Sequence, residues 1–216
     1  MPQEQNAQQT GSELDVKNAT IKLLCNLAEY RNDISGEHVG RSERILSFLT
    51  EEMINRKVYR EILDTWDIKV FLQASWLYDV GKAIIRDVIL MKPTALTREE
   101  FDEMKKHTVY GEMIIDRVRE IAGDNTFLAQ AKIMAGTHHE KWDGSGYPRA
   151  LAGTKIPLQG RLMGIVDVYD ALITEKAHKK AFSPEEAAQI IRAGHGVYFD
   201  PALTDLFLIA VRRLHK

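Results

Sequence analysis

The chain of 216 residues contains a single cysteine, Cys25, so no disulfide can form within it. Its setting in the apolar run Ile21-Lys22-Leu23-Leu24-Cys25-Asn26-Leu27 reads as a buried thiol in a reducing compartment. An excess of charge of either sign is also missing. Lys plus Arg number 29 and Asp plus Glu 31, a formal net charge of -2, so bulk electrostatics recruits neither nucleic acid nor membrane and an anionic ligand would need a local site. No basic n-region with an apolar core opens the chain, and no uninterrupted apolar stretch is long enough to span a bilayer. These absences predict a soluble, cytoplasmic protein. Internal repeats are absent too, as is any useful run of strand-period alternation, which leaves all-α as the expected fold class.

What is present is a globular composition, 44% hydrophobic and 28% charged, patterned at helical spacing. Residues 1–12 carry almost no apolar side chains and are expected to form a disordered tail. Residues 13–33 form a helical extension in this reading, with Val16, Ala19, Leu23, Leu27 and Tyr30 on one stripe. After Gly36, helices are predicted over about 37–55, with His38 in the first turn, and over 58–78 with an interruption near 64–67. The stretch to Pro93 reads as an extended connection. Thr97 and Glu100 form a capping box opening a helix that carries His107. Further helices are predicted over 125–138 and 159–174, the latter with Asp167 and Asp170 on one face, and Ser183-Pro184 and Asp200-Pro201 each begin another.

The organising stretch is Gly136-Thr137-His138-His139-Glu140-Lys141-Trp142-Asp143-Gly144-Ser145-Gly146-Tyr147-Pro148, where an apolar helix gives way to a polar, glycine-rich loop. Adjacent histidines at a helix end can converge on one cation, although an isolated pair more often caps the last turn. Added to His38, Asp79, His107 and Asp167, the pair makes a nitrogen and oxygen set of the kind iron, manganese or zinc accepts. Six donors exceed one closed tetrahedral site. Two metals sharing a bridging carboxylate would use them all and keep positions open, as phosphoester cleavage requires.

These residues carry a resemblance. His138-His139-Glu140 followed by Asp143-Gly144-Ser145-Gly146-Tyr147-Pro148 resembles the HHE-x-x-DGSGYP signature of the HD-GYP domain, a branch of the HD phosphohydrolase superfamily whose members degrade cyclic di-GMP. Asp79-Val80-Gly81-Lys82 is similar to the second half of HD-x-GK, and Lys92-Pro93 with Leu96, Thr97, Glu100 and His107 to KPG-x-LT-x-x-E and the histidine after it. Asp167-Val168-Tyr169-Asp170-Ala171-Leu172 resembles D-x-x-DAL, and Phe199-Asp200-Pro201 resembles FDP. The family implies an HD-type helical bundle, here over residues 34–216, with the N-terminal helix as an addition. It implies two divalent transition-metal ions, iron before manganese or zinc, with Asp79 bridging, His38 and Asp167 on one ion, and His107, His138 and His139 on the other. Lys82 would neutralise phosphate or protonate the leaving oxygen. Asp170 would orient a histidine, Gly146, Tyr147 and Pro148 would shape the nucleotide lip, and Lys176 and Lys179 would meet the second phosphate. Expected products are linear pGpG and GMP.

Three departures qualify this expectation. Tyr78 stands where the family has the histidine of its HD doublet, Ile34 replaces the glutamate of three-metal members, and Lys176-Ala177-His178-Lys179 replaces Arg-Pro-Tyr-Lys. Phenol is a poorer ligand than imidazole unless a strong Lewis acid such as ferric iron deprotonates it, so Tyr78 is expected, like Asp170, beside the metal ligands rather than among them, and turnover to be weak or conditional; the alternative is a sensor or adaptor that binds the nucleotide or a partner protein without cleavage. The Gly-Tyr-Pro loop could also meet signalling proteins, and the N-terminal helix could support a homodimer.

Overall fold

The structure is a computed structural model that describes residues 19–21, 23–24, 38–175 and 180–214. The predicted tail, most of the predicted 13–33 helix, Cys25, Ile34, Lys176 and Lys179 lie outside the described residues; residues 19–21 and 23–24 are helical. Among the described residues the fold is all-α and contains no strand.

Helix α1 (His38–Arg56) buries Val39, Ser42, Ile45, Leu46, Leu49 and Met53, spaced by three and four residues, so one stripe faces inward. Two short helices follow, α2 (Arg60–Leu63) and α3 (Ile68–Ala74), the second capped by the Asp67 carboxylate accepting from Val70 N. The chain then tightens into 3-10 turns at Ser75–Leu77 and Val80–Ile84 that flank Tyr78 and Asp79. Beyond lie α4 (Asp87–Leu90), α5 (Arg98–Lys105), α6 (His107–Ala122), α7 (Thr126–Thr137), α8 (Leu158–Ile173), α9 (Pro184–Ala193) and α10 (Pro201–Leu214). Helix α8 runs through the centre, buried along most of its length: Leu162, Met163, Ile165, Val166 and Tyr169 are fully buried, and its few polar residues, Arg161 and Asp170 among them, are buried with partners. Helices α1, α7, α9 and α10 pack around it, and α10 also lies along α1. Each such aliphatic side chain stabilises the fold by about 1.5–3 kcal/mol.

Two local predictions are corrected. The stretch before Pro93 is not extended, because the 3-10 turn and α4 occupy it. Ile85, Ile89 and Leu90 bury there against Leu96, Met104 and Tyr110, and that packing outweighs the weak local signal. The capping-box helix does not carry His107. It ends at Lys105, and His107 opens α6. The break has a cause in side-chain hydrogen bonding: His107 Nδ1 donates to Met104 O at 2.8 Å and Thr108 Oγ1 to Lys105 O at 2.9 Å, competing with the backbone ladder.

Two features fix the site within this frame. Gly81 lies so close to α6 that a Cβ would sit 1.9 Å from the His107 carbonyl oxygen and 2.4 Å from Gly111 N, so Val80–Ile84 meets α6 backbone to backbone. At the other end, buried Asp200 accepts from Arg161 Nη1 at 2.7 Å and from Tyr59 Oη at 2.6 Å, while its second oxygen caps α10 through Ala202 N. Arg161 also lies over the rings of Tyr59 and Trp142, joining α8 to the glycine-rich loop. Asp200→Ala should cost about 3–5 kcal/mol, since it strands a buried guanidinium. Urea unfolding checks this; a loss under about 1 kcal/mol would contradict the network's structural role.

Candidate metal centre

Helix α7 ends in contact with α8. Gly160 and Gly164 allow the approach: a Cβ at the first would lie 2.2 Å from Thr137 Oγ1, and at the second 2.8 Å from the His138 carbonyl oxygen. His138 therefore leaves the helix as its C-cap, buried, with half-buried His139 beside it at a ring separation of 4.1 Å. His107, at the start of α6, faces both. Ring nitrogens of His107, His138 and His139 lie within 4.8 Å of one another.

Their protonation pattern follows from the backbone. His107 Nδ1 donates to Met104 O, and His138 Nδ1 to Met134 O at 2.9 Å, so in both rings Nε2 is the nitrogen left to face inward as a ligand atom. Those nitrogens are 3.3 Å apart, and 3.4 and 3.7 Å from Asp79 Oδ1. Asp79 is buried, its Oδ2 pairs with Lys82 Nζ at 2.5 Å, and its Oδ1 accepts no hydrogen bond. Asp79 does not use its side chain to cap the following turn. Lone pairs from two imidazoles and a carboxylate that converge in a dry pocket repel unless a cation lies among them. The donors thus fit a divalent metal.

A second group adjoins the first. His38, Asp79 and Asp167 also place ligand atoms within 4.8 Å of one another. His38 Nδ1 donates to Asp170 Oδ2, and Asp170 is fixed in turn by Arg41 Nε on Oδ1 and Arg41 Nη2 on Oδ2, the latter at 3.2 Å. Asp170 thus orients a histidine, and Arg41 holds Asp170. Arg41 was not among the residues selected from sequence, although its spacing of three from His38 puts both on one face of α1. The buried Tyr78 hydroxyl lies 2.5 Å from His38 Nε2 and 3.0 Å from Asp167 Oδ1. The hydroxyl donates to Asp167, and His38 Nε2 lies against its oxygen.

The rim is formed by the loop after His139. Buried Glu140 accepts from Arg149 N at 2.7 Å and Leu151 N at 2.9 Å, which closes the loop on itself. A Cβ at Gly146 would sit 2.4 Å from Lys141 N, so only glycine fits the crossing. The Tyr147 ring leans on His139 at 4.7 Å and meets Phe101 edge-on at 6.3 Å, with Lys105 Nζ 5.4 Å from the Phe101 ring centroid. Pro148 follows Tyr147 through a cis peptide. Phe101 and Lys105 were missed from sequence, because nothing local in the capping-box helix distinguishes them from an ordinary surface.

Comparisons with known proteins identify the family and the fold. An HD domain family model matches residues 25–203. The chain belongs to the HD domain family. This HD domain is 42% identical over 199 residues to a "Probable cyclic di-GMP phosphodiesterase" of Vibrio cholerae serotype O1, covering 91% of this chain and 45% of the relative. It is 36% identical over 198 residues to a "3'3'-cGAMP-specific phosphodiesterase 2" of the same organism, covering 90% and 35%. The chain therefore spans less than half the length of these relatives. A solved structure described as Bd1817, an HDG"Y"P protein from Bdellovibrio bacteriovorus, shares the fold with a TM-score of 0.54 at 17% identity, over 84% of this chain and 53% of its own. No helix among the described residues is long and apolar enough to cross a membrane.

Burial controls the titration of the cluster. It pushes His107 down to about 4 and His139 well below the usual imidazole range. Burial alone would raise Asp79, but the Lys82 ammonium beside it outweighs burial and holds the carboxyl well below its ordinary value. Unfolded imidazole binds a proton near pH 6.5 whereas folded His107 does not until about 4, so between these values the unfolded chain takes up more protons. The urea midpoint of metal-free protein should fall as pH drops from about 6.5 towards 4. A midpoint that holds constant across that window would contradict buried neutral imidazoles.

Proposed function

We propose that this HD domain is the catalytic part, residues 34–216, of a metal-dependent phosphodiesterase acting on cyclic di-GMP. The observation that carries the reading is the convergence of imidazole lone pairs on the orphaned Oδ1 of Asp79, beside a second donor group that shares the same carboxylate. In this reading His107, His138 and His139 hold one ion, His38 and Asp167 hold the other, and Asp79 lies between them. Iron is favoured by the histidine-rich set, with manganese and zinc as alternatives. When bound, such a pair supplies positive charge against phosphoryl oxygens and acidifies water.

The remaining roles belong to the chain. Asp170 keeps His38 in register. Lys82 Nζ is close enough to the Asp79 carboxylate to share its charge with an incoming phosphate or protonate the leaving oxygen. Gly146, Tyr147 and Pro148 shape the lip that receives a guanine nucleotide, and Lys176 and Lys179 meet the second phosphate. Products are linear pGpG and, with a second cleavage, GMP. Turnover is slow or conditional because Tyr78 occupies the doublet. The same lip and the N-terminal helix are the surfaces through which a signalling protein or a second copy would dock.

A second reading, a sensor that binds the nucleotide without cleaving it, is favoured by one observation: the Tyr78 hydroxyl within reach of His38 and Asp167. Iron-loaded protein given cyclic di-GMP should release linear dinucleotide slowly on product chromatography. His138→Ala should reduce that release about 100-fold or more, and Lys82→Met should reduce it with metal content retained. Binding by calorimetry without release would establish the sensor instead. Faster cleavage of 3'3'-cGAMP assayed in parallel would reassign the base, and neither binding nor release of either nucleotide would refute both readings.

A further inference from the structure

Tyr78 is one of the largest fully buried side chains, 1% exposed, and its polar end reaches two candidate ligand side chains, His38 and Asp167. Its ring stands edge-on to His138 at 5.1 Å, so the phenol reaches from beside the three-histidine group towards His38 and Asp167. The hydroxyl donates to Asp167 Oδ1, and its oxygen keeps lone pairs beside His38 Nε2. Here the oxygen lies 2.5 Å from one candidate ligand atom and 3.0 Å from another. Donors that share an ion at about 2.1 Å stand roughly 3 Å apart when adjacent on an octahedron. The 3.0 Å spacing to Asp167 is that of neighbouring corners, and the His38 nitrogen lies closer still.

We propose that Tyr78 Oη is itself a metal ligand, completing the His38, Asp79 and Asp167 group as a fourth protein donor. The proposal rests on the two-metal reading above and deepens it. With the phenol included, this group offers one nitrogen and three oxygens, whereas its neighbour offers three imidazole nitrogens. An oxygen-rich anionic set prefers a hard ion of high charge, so the phenol-bearing position selects ferric iron and the imidazole position a softer divalent ion. The phenol proton leaves to solvent as the ion binds. The centre is then chemically asymmetric, and the asymmetry follows from a single side chain.

Protein loaded with ferric iron together with one divalent ion, zinc, provides a readout independent of turnover. Two metal equivalents with a visible phenolate-to-iron charge-transfer band, and enhanced tyrosinate ring modes in resonance Raman excited within that band, are the expected results. Tyr78→Phe should remove the band and one metal equivalent while keeping the far-ultraviolet dichroism. Tyr78→His should remove the band and keep both equivalents, and Tyr147→Phe should leave the band in place. Two bound metals without a band, or a band that survives Tyr78→Phe, would overturn the ligand assignment and leave the phosphodiesterase reading standing. One bound metal without a band would make the phenol a plug and overturn it as well. No metal uptake at all would overturn both.

Discussion

A carboxylate buried between one ammonium and two imidazoles governs this structure. Asp79 is 2% exposed, and among the described residues Lys82 satisfies one of its oxygens while the other has no hydrogen-bond partner. Placing such a group in a dry interior costs several kcal/mol unless charge is supplied nearby. Much of the surrounding fold can be understood as supplying it. Lys82 is three residues away on the same tight turn, His107 arrives because Gly81 admits α6, and His138 arrives because Gly160 and Gly164 admit α7. Helix contacts that look like generic packing are thus the means of bringing polar atoms together against their natural repulsion.

The surroundings divide into two kinds of support. Around His38 the support is polar: Asp170, Arg41 and Thr174 form a chain of charge-assisted contacts from α1 to the end of α8. Around the three histidines it is backbone and shape, with carbonyls holding Nδ1 atoms and glycines setting approach distances. The first can yield slightly as side chains rotate. The second cannot, because carbonyl positions are set by the helices that carry them. The rigid half holds the softer donors, and the adaptable half holds Tyr78.

Much of the candidate site was legible in the sequence because its parts lie at helix ends, where capping residues, glycines and prolines write strong local signals. Thr97, Ser183 and Asn125 open helices as their chemistry dictates, and the six proposed donors fall into the two groups expected of them. What was illegible depended on tertiary burial. Helix α4 forms since Ile85, Ile89 and Leu90 find a pocket of Leu96, Met104 and Tyr110, which no window of local sequence displays. The break before His107 arises from a ring nitrogen choosing a carbonyl. Arg41 and Phe101 acquire meaning only from partners far away in the chain, Asp170 and Tyr147.

The backbone contact at Gly81 bears on how such a protein can drift. Because main-chain atoms rather than side chains set the gap between the Asp79 turn and α6, substitutions elsewhere in the core can thin the packing without widening that gap. Mutational wear would then shorten the molecule's folded lifetime well before it blurred the spacing of the donors. Lineages could lose robustness while their chemistry stayed tuned, and a variant with new chemistry would have to begin at a side chain such as Tyr78.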